Sequence, residues 1–129
     1  MDHRLVTVEE VAFLHAVAVT EFGGTPGLRD AAELDAAVAR PGTAFGAEPL
    51  FATAWQRAAA LLEALAVRRP FVDGNRRTAA LAGAYWLERE GWRLTAPPGE
   101  LAGLVDGVAE QRVTLAEAAA WLRAHSAAV

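Results

Sequence analysis

Apolar residues recur at helical spacing in six stretches of the chain, separated by polar segments rich in Gly and Pro. In the first stretch Val8, Val11, Ala12, Val19 and Phe22 follow Thr7-Val8-Glu9-Glu10, which has the spacing of a capping box: a Thr hydroxyl for the third amide and a Glu reaching back. The predicted helix runs from about 8 to 22, and Gly23-Gly24 stops it. Pro26-Gly27 reads as a turn, and Asp30-Ala31-Ala32-Glu33 as a second capping box that opens a short helix ended by Pro41. Residues 42 to 52, with two Gly and a Pro, read as loop.

The most apolar pattern, Trp55, Ala58, Ala59, Leu62, Leu65 and Ala66, predicts a central helix from about residue 53. Pro70 pushes Arg69 toward an extended backbone, so this helix closes near Val67 or Arg68 and a short loop follows. Asn75 stands before a long helix from Arg76 to Glu90 that Gly91 terminates, and Trp92-Arg93-Leu94-Thr95 is short and extended. Pro97-Pro98-Gly99-Glu100 opens a helix to about Glu110, and Thr114-Leu115-Ala116-Glu117 is a third capping box, starting a last helix through Trp121-Leu122 toward His125. The resulting expectation is an all-α protein of about six helices, a single domain over residues 1–129, without repeat, low-complexity tract or linker.

Composition narrows the setting. There are 129 residues, 53% hydrophobic and 22% charged, enough for one core burying roughly two-thirds of the unfolded surface. Cysteine is absent, which excludes disulfides, thiolate metal sites and thiol nucleophiles and suits a reducing cytoplasm. No apolar run approaches the roughly 18 residues of a membrane span, and the start Met-Asp-His-Arg is unlike a secretory leader, so the expectation is a soluble cytoplasmic protein that does not engage a membrane. A net charge of -4 argues against direct nucleic-acid binding over a broad surface. All 12 basic residues are Arg, which together with the Ala excess reads as GC-rich coding.

Candidate chemistry is concentrated in Arg69-Pro70-Phe71-Val72-Asp73-Gly74-Asn75-Arg76-Arg77-Thr78. A loop that enters a helix at Asn75 leaves the first helical amides pointing outward with the positive end of the dipole, and two Arg side chains leave the same turn. Gly74 permits close approach of backbone to a ligand, and Asp73 offers a hard oxygen suited to Mg²⁺, the usual companion of a polyphosphate. These are parts for gripping phosphates. The same residues also fit an ordinary loop in which Asp73 or Asn75 caps the next helix and the arginines are solvated. Neither a Walker A pattern nor a Gly-x-Gly-x-x-Gly fingerprint occurs.

The segment from Pro70 to Thr78 resembles the signature of the Fic/Doc superfamily, which starts His-Pro-Phe and continues with an acidic residue, Gly or Ala, Asn, a variable position and Arg. Gly23-Gly24-Thr25-Pro26-Gly27-Leu28-Arg29-Asp30, Leu34, Ala37 through Arg40-Pro41, Ala58-Ala59-Ala60-Leu61-Leu62 and Gly91-Trp92-Arg93-Leu94 are similar to its Doc, or death-on-curing, branch. The resemblance spans about 7 to 125. It implies a Fic/Doc helical domain with the active loop between two central helices. Adenylylating Fic enzymes usually carry Gly before the final Arg of the motif and Doc proteins a bulky basic residue, here Arg76. By resemblance, then, the chain is a toxin of a toxin-antitoxin pair, an ATP-dependent kinase of a threonine in elongation factor Tu that arrests translation. Its implied inhibitor is a Phd-like antitoxin whose disordered tail folds into a groove. Carried over by position, Asp73 would hold Mg²⁺, and Gly74, Asn75, Arg76 and Arg77 would cradle the nucleotide. Asn75 and the first helical amides would hold phosphate oxygens, Arg77 would neutralise the transferring group, and Phe71 would anchor the loop.

At the first motif position the resemblance fails, because Arg69 replaces the His that serves these proteins as general base. A guanidinium stays protonated at working pH and cannot take a further proton. Loss of base assistance costs on the order of 10²- to 10⁴-fold in rate, although phosphoryl transfer depends more on positioning and electrostatics. Nucleotide binding can survive this. One base change turns a His codon into an Arg codon, and we read Arg69 as an inactivating lesion in an otherwise kept loop; a natural pseudoenzyme that only binds nucleotide or antitoxin is the alternative, and Fic-type adenylylation a third. His15 lies on the apolar stripe of the first helix and reads as a hydrogen-bonded packing residue, while His3 and His125 read as solvated. Arg29 and Asp30 belong to the resembling loop but are left outside the catalytic set, with Asp30 as an N-cap. The tryptophans Trp55, Trp86, Trp92 and Trp121 read as packing anchors.

Overall fold

A computed structural model describes residues 5–129, and in it four of the other five helices pack on α3 (Ala54–Arg68). Nine of its 15 residues are buried, six of them Ala, so neighbours can approach on several sides at once. α4 (Asn75–Arg89), α6 (Leu115–Ala124), α2 (Ala31–Ala39) and α5 (Pro98–Ala109) all pack on it, while α1 (Val8–Phe22) lies on α4 and α2. Val11, Leu34, Val38, Leu61, Leu62, Leu65, Leu87, Val105 and Leu122 join one apolar cluster to which every helix contributes. Among the described residues no helix is long and apolar enough to cross a membrane. His3 lies outside the described residues.

The six predicted helices are present at close to their predicted ends. Thr7 with Glu10 and Thr114 with Glu117 form reciprocal capping boxes, and Thr53 with Gln56 forms another that the sequence pattern did not single out. Asp30 caps α2 by accepting from the Glu33 amide, but the box is not closed, because the Glu33 carboxylate instead pairs with Arg68 at 3.1 Å. Residues 42 to 52 are more ordered than a loop. After a 3₁₀ turn at Arg40–Gly42, β1 (Ala44–Phe45) and β2 (Glu48–Pro49) form an antiparallel hairpin, too short for any alternation to reveal it. β3 (Trp92–Leu94) does not stand alone either. It pairs with β4 (Ser126–Ala128), a Ser-Ala-Ala segment without strand propensity that is recruited by the edge beside it. His125 is half-buried, stacked on Trp121, and its Nδ1 lies 2.8 Å from the Trp121 carbonyl; it is therefore not simply solvated.

Two polar ties join the elements that flank the site. The Arg57 guanidinium of α3 grips the Glu90 carboxylate at 2.7 and 2.9 Å, and Trp86 donates its indole N–H to the same carboxylate at 2.6 Å. Burial pushes the Glu90 carboxyl up, but hydrogen bonds from Arg57 and Trp86 and the Arg57 charge outweigh it and hold the group below the usual range. The Tyr85 hydroxyl of α4 donates to Glu10, pinning the start of α1 to the middle of α4.

Candidate functional site

The segment 69–74 leaves the C-terminus of α3, crosses under the loop 24–30 and enters α4. Backbone pairing sets the approach: Leu28 bridges Phe71, the Arg29 and Asp30 amides donate to the Pro70 carbonyl at 2.8 and 3.0 Å, and Val72 donates to Gly27 at 3.0 Å. Arg29 also clamps the end of α3, its Nε and Nη2 each 2.7 Å from the carbonyls of Arg69 and Arg68. These are orphan carbonyls of a helix C-terminus, and a guanidinium at that end also complements the dipole.

Arg69 is not extended. It takes left-handed dihedrals, φ 52° and ψ 60°, with its amide 3.2 Å from the Leu65 carbonyl. The extended backbone expected before proline does not form; the chain instead closes α3 with a left-handed helix cap. The left-handed region costs an ordinary side chain about 1 kcal/mol or more.

Inside the loop three side chains fix the backbone. Phe71 is 3% exposed. Asn75 is 7% exposed and closes on Phe71 at both ends of its carboxamide, accepting from the Phe71 amide and donating to its carbonyl, each at 2.9 Å. His15 of α1, 5% exposed, stacks flat on the Phe71 ring at 3.9 Å and donates from Nε2 to the Asp73 carbonyl at 2.8 Å. The predicted packing role of His15 is thus observed, with the loop 69–74 as its partner. Gly74, the N-cap of α4, has φ 75° and ψ 18°, a conformation in which a side chain is strained.

The groups left facing solvent are different ones. Thr78 is the first residue whose amide the helix uses, donating to Gly74 at 3.0 Å, and no side chain caps α4. The amides of Asn75, Arg76 and Arg77 are therefore presented at the positive end of the helix. Beside them the exposed Asp73 carboxylate accepts from the Thr25 amide at 3.0 Å and the Gly74 amide at 2.9 Å, which in that order hold it below the usual aspartate range and keep it ionised. A Cβ on Gly24 would lie 2.9 Å from Asp73 Oδ2 and would push that carboxylate aside, and the φ of 120° strains any side chain there. The Arg77 guanidinium lies over the Phe22 ring at 4.2 Å. Arg76 points elsewhere, to Asp106 at 3.0 Å and Glu110 at 2.9 Å on α5.

Of the predicted site residues, the structure brings together the Asp73 carboxylate and the amides that follow Gly74. It turns the Asn75 side chain into the loop and carries the Arg76 guanidinium to α5. Among the described residues no group of three or more His, Asp and Glu is placed to hold a metal. One exposed, ionised carboxylate next to free amides fits Mg²⁺ that arrives with a polyphosphate, because that ion characteristically takes one or two carboxylates and fills its octahedron with phosphate oxygens and water. His15 and Phe22 were not expected at the site; the only local signal was a polar residue on an apolar stripe and an aromatic at a helix end.

This chain belongs to the Fic/DOC family, whose sequence profile matches residues 5–87, the span from before α1 through the loop and most of α4. Among individual proteins, it is 46% identical over 76 residues to the "Toxin Doc" of Mycolicibacterium smegmatis, a match covering 58% of each chain and so less than two thirds of that relative. It is 30% identical over 120 residues to the "Protein kinase doc" of Escherichia phage P1, covering 93% of this chain and 94% of that one.

Proposed function

We propose that the chain is a Doc-type toxin with phosphotransferase architecture that keeps the carboxylate and helix-start amides of a phosphate site and lacks the residue that activates the acceptor. The observation that carries this is the juxtaposition of an ionised, exposed Asp73 with an uncapped helix start on the same loop. In this reading Asp73 holds the Mg²⁺ of ATP, which supplies charge neutralisation at the phosphates when bound. The amides of Asn75 to Arg77 bind phosphate oxygens, and Arg77 faces the transferring group, kept in place by Phe22. Arg76, tied to Asp106 and Glu110, orients the first turn of α4 rather than touching the nucleotide. The γ-phosphoryl group passes to a threonine hydroxyl, by resemblance that of elongation factor Tu, with ADP leaving and the hydroxyl proton requiring an acceptor. A guanidinium at position 69 has no acceptor to offer it, and the His15 Nε2 already directs its proton to a carbonyl. The name of one relative as a toxin supports an antitoxin as partner, and that of the other as a protein kinase supports ATP as the nucleotide.

Arg69→His is the decisive variant. Histidine is among the side chains enriched in the left-handed region, so the exchange adds no backbone strain at φ 52°. Expected are growth arrest on expression and transfer of the γ-label of ATP to elongation factor Tu, with a rate gain on the order of 10²-fold or more over the parent. A folded Arg69→His protein that binds ATP but transfers nothing would make the chain a binding module. Transfer of labelled adenylate in place of phosphate would assign it to the adenylylating branch.

A further inference from the structure

We propose that His15 is a positioning residue for the phosphate loop, holding the Asp73–Gly74 peptide so that the Asp73 carboxylate and the first amides of α4 face one ligand. The ligand is the one the phosphate-site reading names, while the geometry of the contact stands on its own. The Asp73–Gly74 peptide is held at both ends: its carbonyl accepts from His15 Nε2 at 2.8 Å, and its amide donates to Asp73 Oδ1 at 2.9 Å. If the carbonyl lost its donor, the peptide plane could rotate, carrying the Gly74 amide away from the carboxylate that it orients. Gly74 is then the weak joint, because a glycine in the left-handed region has little barrier to other dihedrals. The contact is too specific for filler. The imidazole lies parallel to the Phe71 ring within 5° at 3.9 Å, and the space over the Gly74 Cα is bounded by the same imidazole, whose Cδ2 and Nε2 a Cβ there would meet at 3.7 Å. One ring thus stacks on Phe71, bonds to the Asp73 carbonyl and bounds the space over Gly74. An aliphatic residue on this stripe of α1 would fill the volume equally well and leave the carbonyl unpaired.

The ring has two separable roles, and two substitutions in the full chain divide them. His15→Phe keeps a ring over Phe71 and removes the donor; His15→Gln keeps an N–H donor and removes the ring. Nitrogen-15 NMR of the parent at neutral pH is expected to show His15 protonated at Nε2. Amide exchange of Val72 and Gly74 is expected to rise about tenfold or more in His15→Phe, the equivalent of one hydrogen bond, with that of Ala82 in α4 unchanged, and to stay within about threefold of the parent in His15→Gln. Calorimetric titration with Mg·ATP should show affinity falling about tenfold in His15→Phe and largely retained in His15→Gln. The proposal is overturned by an Nε2 without its proton, or by a folded His15→Phe whose loop exchange matches the parent. A parent that exchanges as expected yet fails to bind Mg·ATP overturns the phosphate reading instead.

Discussion

The carboxamide of Asn75 reaches back four residues and closes on both backbone groups of Phe71. Removing it leaves a buried donor and acceptor unpaired, each at a penalty of about 1–3 kcal/mol when water cannot replace the partner. Asn75→Ala is therefore expected to lower the unfolding free energy by about 2–3 kcal/mol in urea titration, more than loss of a surface ligand would. A change under about 0.5 kcal/mol would show that the amide does not hold the loop. From the sequence, Asn75 was legible as a motif residue but not in its use, since Asn suits a phosphate ligand, an N-cap and a backbone staple alike. Arg76 and Arg77 carry the same ambiguity. Adjacent on a helix they leave it about 100° apart, and one meets the acids of α5 while the other meets Phe22.

The two ends of α3 are closed in unlike ways. Its start is capped locally by Thr53 and Gln56, and its end by Arg29 from a loop some 40 residues earlier. The fork matters at that end, because a guanidinium serves two carbonyls in one plane and an ammonium does not. Arg29→Lys is expected to cost about 1 kcal/mol and to raise the exchange of the Val72 amide, whereas Thr53→Ala should cost a similar amount and leave that amide protected. Equal exchange at Val72 in both variants would mean that the clamp does not order the loop. The capping boxes at Thr7 and Thr114 were readable because donor and acceptor stand three residues apart. Arg29 was not, for its partners are fixed only when the loops meet.

Across the molecule the Arg57–Glu90 pair locks α3 to the C-terminus of α4, and with it the distance between the two helices that carry the loop. The folded Glu90 carboxyl titrates below its ordinary value, so its contribution is fully present above the usual glutamate range and is lost as pH falls through the lower folded value. The melting temperature of the parent should thus exceed that of an Arg57→Gln, Glu90→Gln double variant at neutral pH and approach it only as the pH falls below the usual glutamate range. A gap that stays constant with pH would exclude the pair as its source. Spacing within a turn or two determined the six helices, most of their caps and the run of motif residues from Pro70 to Thr78, because those depend on neighbours along the chain. Tertiary structure alone decided the left-handed turn at Arg69, the β3–β4 pairing, the diversion of Arg76 to α5 and the seat of His15 on the loop. Each of the last three joins groups about 30 or more residues apart, and Arg69 is bent where the loop from Gly27 to Asp30 pairs with the backbone of Pro70 and Val72. No local pattern encodes such partners; they exist once the helices have packed.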